Sequence, residues 1–387
     1  MVEQVKFIVY SDIHYDRLGA KCVTIDDCEG VERAVYKRFE ENNPDEKHFN
    51  FSVFCGDRFL KREPEDEVKT KADVVLIESM YERIHYKRPH FHLIGNHDWI
   101  TRSKQWHTSR FFADYLSESN YVWVLSEPKT IKYHMGTNDC PVDLRIHALP
   151  AGFEMDISVY DIDPKALNLF IFHDMVTGCK LDDEGKVLAE SGISLASIDR
   201  PEFDLVLSGD IHVPQRLPFK NTRGGYVGAV LQRTRADANC DRGWMEVTAT
   251  REASGKWDFD IDFVPVRGFF TKFSFQVDAN SKYEGLRLDE NRIADTHCEV
   301  ELIGSRADVD RIANDPRWEN YNTYYNVRNL MLTRKYKVEK QEAVVDMSES
   351  HGVMDDLNMY LDSGFVDIGN LPREGIVGVV NSVLEDK

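Results

Sequence analysis

The sequence predicts an α/β protein: a large strand–helix domain, a smaller α/β unit after it, and an apolar helical tail. Three observations carry this. Residues 5–10, 51–55, 91–94, 144–149, 167–172 and 203–207 are short, continuous aliphatic runs, the pattern of strands buried on both faces. Longer mixed segments separate them, and strand–helix alternation is how such sheets are covered. After Arg242-Gly243-Trp244 the pattern changes to alternating apolar and polar residues.

In chain order, helices are expected over 30–42, 67–85 and 108–117, between the first strands. Residues 245–250 and 257–264 alternate as half-buried antiparallel strands do, with a hairpin turn at Ala253-Ser254-Gly255-Lys256. A second unit spans 269–345, with strands over 297–303 and 324–337 around a helix over 306–314. It carries Arg306, Arg311, Arg317, Arg328, Arg334, Lys335 and Lys337, either a basic face or, more commonly, solvated charge. In the tail, 346–387, Val353, Met354, Leu357, Tyr360 and Leu361 recur at helical spacing. A second helix opens at Pro372 and carries Ile376, Val377, Val380, Val383 and Leu384.

The chain has 387 residues, 42% hydrophobic and 30% charged, which excludes a disordered protein. Its net charge of −19 excludes a uniformly basic nucleic-acid coat and general adhesion to anionic membranes. A local basic groove stays open. Seven cysteines with no C-x-x-C pair fit free thiols in a reducing compartment. The N-terminus lacks the pattern of a signal peptide and no run is long enough to span a bilayer, so a cytoplasmic protein is expected.

Chemistry gathers where the apolar runs stop. The first ends in Ser11-Asp12-Ile13-His14, the second in Gly56-Asp57-Arg58 and the third in Gly95-Asn96-His97-Asp98. Later runs end in His173-Asp174 and in Gly209-Asp210-Ile211-His212. Ligands of open α/β sheets bind beyond the carboxyl ends of the strands, so these groups should surround one crevice. Asp12 and His14, at i and i+2, point to the same side of an extended chain, and Asp210 and His212 repeat the spacing. Carboxylates, imidazoles and a carboxamide without cysteine suit Mn²⁺, Fe²⁺ or Zn²⁺. Asp57, alone between two clusters, is the natural bridge between two ions that would clamp a phosphate.

In these motifs the chain resembles the calcineurin-like metallophosphoesterases, whose pattern runs D-x-H, G-D, G-N-H-[DE], an isolated His, then G-H-x-H. The resemblance implies a four-layer α/β/β/α sandwich. It implies one metal held by Asp12, His14, Asp57 and His212, and another by Asp57, Asn96, His173 and Asp210. His97 would face the phosphate, with Asp98 orienting its ring. Asp210 departs from the family's usual histidine. A carboxylate there can still ligate and favours harder ions such as Mn²⁺ or Mg²⁺; the alternative is a weakened second site.

Within the family, the segment from Gly228 to Trp244, the small following domain and the apolar tail resemble the SbcD-type nuclease subunit. That likeness implies a nuclease domain over 1–268 and a capping domain over 269–345. It also implies a helix pair over 346–387 that binds an SMC-like ABC ATPase. The activity implied is Mn²⁺-dependent 3′–5′ exonuclease action on duplex DNA ends with single-strand endonuclease action, in recombination and repair. A homodimer is left open. Arg58, Lys61, Arg62, Arg102, Lys104, Arg233, Arg235 and Arg242 are the basic candidates for DNA phosphates, and Trp99, Trp106 and Tyr226 for base stacking. The alternatives are a small-nucleotide phosphodiesterase or phosphatase on the same scaffold, and a non-catalytic scaffold for the ATPase.

Overall fold

The computed structural model describes residues 4–17, 23–40, 49–101, 103–109, 121–137, 140–286, 288–289, 293–320 and 327–337. All lie in one compact unit, Met1–Lys337. The expected tail helices fall outside the described residues, as do Arg102 and residues 110–117 of the helix expected over 108–117.

The chain opens as β1 (Gln4–Tyr10), α1 (Ile25–Glu40), β2 (Phe51–Phe54), α2 (Asp66–Tyr86) and β3 (His90–Leu93). β1, β2 and β3 pair in parallel, and β4 (Val122–Leu125) continues the row. α1 begins five residues before the expected 30. Thr24 and Asp27 cap its first turn reciprocally: the Thr24 amide donates to Asp27 (2.9 Å) and the Asp27 amide to the Thr24 hydroxyl (3.2 Å). β11 (Gly243–Arg251) and β12 (Trp257–Pro265) add antiparallel on the far side of β1, giving the order β12-β11-β1-β2-β3-β4.

A second six-stranded sheet has the order β5-β6-β7-β8-β10-β9. Its strands are β5 (Lys129–Thr137), β6 (Cys140–Leu149), β7 (Leu167–His173), β8 (Leu205–Gly209), β9 (Gln215–Arg216) and β10 (Gly224–Tyr226). The two-residue period of a strand sets which side chains face which layer. Phe7 and Val9 of β1 face Leu169 and Ile171 of β7 in the core between the sheets. Ile8 and Tyr10 turn instead to Val31, Val35 and Phe39 of α1. Phe170 and Phe172 face outward under Phe153, Met155, Met175 and the short α3 (Leu195–Ile198). The layer over the second sheet is therefore mostly loop, while two long helices cover the first. Each fully buried aliphatic side chain in these layers contributes about 1.5–3 kcal/mol.

A separate three-stranded parallel sheet is formed by β13 (Phe270–Val277), β14 (His297–Gly304) and β15 (Asn329–Tyr336), with α4 (Arg306–Ala313). Val300, Leu302, Val309, Ile312 and Trp318 make its own core. Arg328 binds it to the sandwich, donating to Asp27 at the start of α1 (2.6 and 2.8 Å) and to Asp295. No helix among the described residues is long and apolar enough to cross a membrane.

Candidate metal centre

β1 and β2 of the first sheet and β7 and β8 of the second deliver their ends to one place. The loops stay in register beyond the strands: the Asp12 amide donates to the Gly56 carbonyl (3.0 Å), His14 to Asp57 (3.2 Å) and Val230 to Ser11 (2.9 Å). Asp12, His14, Asp57 and Asp210 all have left-handed backbones, with φ of 54°, 53°, 61° and 78°. Such strain in non-glycine residues persists only where surrounding bonds over-determine it. Gly95 is required beside them, because a Cβ at that position would fall on the Asp57 carboxylate.

The side chains converge into two linked groups. His14 Nε2 lies 3.0 Å from His212 Nε2 and 3.7 Å from both Asp12 and Asp57 carboxylate oxygens. His173 Nε2 lies 3.3 Å from Asp57, 3.2 Å from Asn96 Oδ1 and 3.8 Å from Asp210. Ligand atoms about 2.0–2.2 Å from one ion stand about 3.0–3.5 Å from each other; the separations of 3.0–3.3 Å match such polyhedron edges and those of 3.7–3.8 Å lie just beyond them. The facing His14 and His212 nitrogens either share a hydrogen bond, one ring donating to the other, or turn both lone pairs to one cation. His173 donates from Nδ1 to the Cys55 carbonyl (2.5 Å), which leaves its Nε2 lone pair for an ion. Asp12, His14 and His212 form one candidate metal-binding group and Asp12, Asp57 and His173 another.

Electrostatics agree with the donor set at His14 and His212; at His173 burial is outweighed by the Asp57, Asp12 and Asp210 carboxylates, which hold the imidazole well above its ordinary value until a cation takes the proton's place. Burial pushes the His14 and His212 imidazoles down, so both offer lone pairs near neutral pH. Burial pushes the Asp12 carboxyl up to about 8, with His173 opposing and the Asp57 charge adding to the rise. Burial works against ionised Asp57 too, but His173, His14 and His97 outweigh it and hold that carboxyl low. Carboxylates crowded this deeply are stabilised by bound cations. The residues present fit a two-ion centre.

A family model for calcineurin-like phosphoesterases matches residues 5–214. The chain belongs to that family. It is a metal-dependent phosphoesterase, and its fold is the family's. A search of curated protein sequences finds no match. Among solved structures, it resembles the GAP50 anchor of the Plasmodium inner membrane complex at 13% identity, covering 68% of this chain and 84% of that one, with a TM-score of 0.40. A dimetal phosphatase from Danio rerio shows 10% identity, 66% and 98% coverage and a TM-score of 0.37. An archaeal phosphodiesterase shows 11%, 67% and 100%, and 0.30.

All seven metal-ligand candidates of this phosphoesterase come together. Asp210 sits at the edge, with 18% of its side chain exposed. Asp98 does not orient His97. Its carboxylate accepts from the backbone amides of Gly95 (2.9 Å), Asp57 (3.0 Å), Arg58 (3.0 Å) and Phe59 (3.4 Å). The His97 ring is instead set by its Nδ1 against the Leu60 carbonyl (2.6 Å), and its amide donates to Asp57 (2.9 Å).

Several of the expected DNA contacts are engaged within the protein. Arg58 is fully buried, paired with Glu32 and donating to the Ala72 carbonyl (2.6 Å). Arg242 is buried between Asp183 and Asp237 (2.7 Å each). Arg233 is buried against Ile13. Lys104 binds the Gly152 carbonyl, and the exposed Arg235 reaches Met331 on the three-stranded sheet. Lys61 pairs with Asp16. Trp99 and Tyr226 are buried with hydrogen-bonded polar atoms, while Trp106 is half exposed. The arginines of the small sheet are matched by acids, as Arg317 with Asp315 and Arg334 with Asp310. Sequence reasoning missed Glu32 and the carbonyls of Leu60 and Cys55. Glu32 could have been found, because helical spacing puts it beside Val31, Val35 and Tyr36 on the buried side of α1. The carbonyls carry no sequence signature.

Proposed function

We propose that this phosphoesterase hydrolyses DNA phosphodiester bonds, exonucleolytically at duplex ends and endonucleolytically on single strands. In this reading it is the cytoplasmic nuclease subunit of a complex with an SMC-like ATPase held by residues 346–387, in recombination and repair. The observation that carries it is the segment from Gln232 to Arg242, which links the metal loops to the three-stranded sheet. Arg233 donates to the Ile13 carbonyl, between Asp12 and His14 (3.3 Å). Gln232 accepts from the amides of Phe269 and Phe270 (2.7 Å each), and the Asn239 side chain exchanges hydrogen bonds with Lys272. An appended domain coupled to the ligand loops suits a substrate long enough to touch both, in the manner of a cap.

Asp12, His14, Asp57 and His212 would hold one ion and Asp57, Asn96, His173 and Asp210 the other, with Mn²⁺ or Mg²⁺ the fitting metals. When bound, the ions supply charge for the phosphate and acidify a water. The chain's own part is positional. Asp98 fixes the backbone that carries Asp57, Cys55 fixes the His173 tautomer, and Leu60 leaves His97 Nε2 to face the phosphate. His97 would serve as the general acid, its Nε2 delivering a proton to the departing oxygen.

Mn²⁺-dependent degradation of end-labelled linear duplex DNA tests the reading, with Asp57→Asn as control. Degradation abolished by the substitution supports it. An inert wild type, with ATPase and ATP present, removes it. A second reading, a small-nucleotide phosphodiesterase or phosphatase, is favoured by the cavity of about 530 Å³ beside His14 and His212 and by the pairing of Arg58 and Arg242 with acids.

A further inference from the structure

The first sheet has an unfinished edge. β12 ends the row and pairs with β11 alone. Alternate amides and carbonyls of its nine residues point away from β11. No other described backbone answers them. The strand sends its side chains to opposite faces in two rows. Phe259 and Ile261 turn toward the core between the sheets but stay half-buried, because β9, the strand that ends the second sheet, is only two residues long. With Leu207, Leu217, Phe219 and Met245 they line a groove of about 380 Å³.

The opposite row is acidic. Asp258, Asp260 and Asp262 are all exposed, and such alternate residues stand about 7 Å apart. Arg223 takes Asp258. Asp260 and Asp262 have no ion-pair partner among the described residues. Their neighbours on β11 add no cation, since Asp260 lies beside Thr248 and Asp262 beside Glu246. Charges on an edge strand block self-association. Two copies of β12 would set aspartates against aspartates, and like charges directly opposite are destabilising. A second copy of this chain is therefore the wrong occupant. The row that bars it attracts a strand of opposite charge. Arg216, on the β9 side, lines the groove rather than the acidic face, so cations suit only one row of an incoming strand.

We infer that β12 accepts an extended segment of another protein as an added strand, one whose residues alternate between apolar and basic. Its apolar row enters the groove beside Phe259 and Ile261, and its basic row lies against Asp260 and Asp262. Its main chain completes the hydrogen bonding of the edge, which supplies affinity while the two rows supply selectivity. The aspartates turn nucleic acid away from this edge. The inference stands on β12 and its groove, and it does not depend on which phosphoester the metal centre takes.

The probe is a capped peptide of alternating valine and lysine, as long as the nine residues of β12. Three controls accompany it: the same composition in two blocks, alternating valine and glutamate, and alternating serine and lysine. Fluorescence anisotropy on the full chain reads affinity, and amide hydrogen exchange reads the edge. The valine–lysine peptide should bind at least tenfold tighter than each control and should slow exchange in β12. Asp260→Lys combined with Asp262→Lys, both on an exposed face, should reverse the preference between the valine–lysine and valine–glutamate peptides, with a circular dichroism spectrum matching wild type. Equal binding of the block peptide, an unreversed preference in the double variant, or β12 amides that exchange no more slowly would overturn the inference. Decanoate filling the groove while no peptide binds would overturn it in favour of a small amphiphile.

Discussion

Replacing Asp98 with asparagine distinguishes its structural role from a role on His97. The Asp98 carboxylate takes two amides on each oxygen: Gly95 and Asp57 on one, Arg58 and Phe59 on the other. Asparagine has one oxygen and one NH₂, so two amides must face a donor. Each buried amide left without an acceptor costs about 1–3 kcal/mol. The cheaper orientation turns the NH₂ toward Arg58 and Phe59, because the Phe59 bond is already long at 3.4 Å. That gives about 2–4 kcal/mol, a large share of the roughly 5–15 kcal/mol that holds a typical protein folded. Asp57, kept at φ 61°, is the residue this bonding supports, and loss of such support commonly weakens metal affinity about 10–100-fold. Urea unfolding in EDTA and Mn²⁺ titration of Asp98→Asn are the assays. Unchanged stability and Mn²⁺ affinity with lost hydrolysis would refute the reasoning and return Asp98 to His97.

Three further outcomes are expected. Glu32→Gln leaves the buried Arg58 guanidinium without its counter-charge and should cost about 3–5 kcal/mol, while Glu32→Leu with Arg58→Met should lie closer to wild type than either single change. Stability unaffected by Glu32→Gln would show that the pair does not hold the loop. Asp210→Ala should remove or weaken at least tenfold one of two Mn²⁺ sites in calorimetry, and Asp210→His should shift preference from Mg²⁺ toward Zn²⁺; an unchanged two-site isotherm in Asp210→Ala would show that Asp210 does not ligate. His147 is buried between Thr130 (2.9 Å) and Asn168 (3.1 Å), and burial pushes its imidazole down to about 4. Its contribution is full above the unfolded value of about 6.5 and is lost as pH falls toward 4, at most about 2 kcal/mol between pH 7 and 5. His147→Gln should flatten the stability profile over that window, and a profile parallel to wild type would contradict this.

The convergence of the candidate ligands was legible because they sit just after apolar runs, where period and composition set both the strand and its end. Asp12, Asp57, His173 and His212 needed no knowledge of the partner loops. Arg58 and Arg242 differ from their expected surface roles for the opposite reason. Arg58 follows a ligand and looks like a surface charge, but its partner Glu32 lies on α1 and buries it. Arg242 is likewise consumed by Asp183, 59 positions away. Such pairings depend on tertiary contacts that local pattern does not carry. Other features were written in the sequence but passed over. Ile131, Tyr133 and Met135 alternate along β5, as Phe273 and Phe275 do along β13, and Thr24-x-x-Asp27 marks the start of α1. The loop covering of the second sheet has no periodic signature, so it follows from packing alone.

The most direct test of the metal centre is hydrolysis of bis(p-nitrophenyl) phosphate in Mn²⁺, measured beside bound metal per chain, for wild type and Asp57→Asn. The expected result is two ions and turnover in wild type, with fewer than two ions and at least 100-fold less turnover in Asp57→Asn. Full turnover in Asp57→Asn, or a wild type that binds two ions and hydrolyses no diester, would contradict the account.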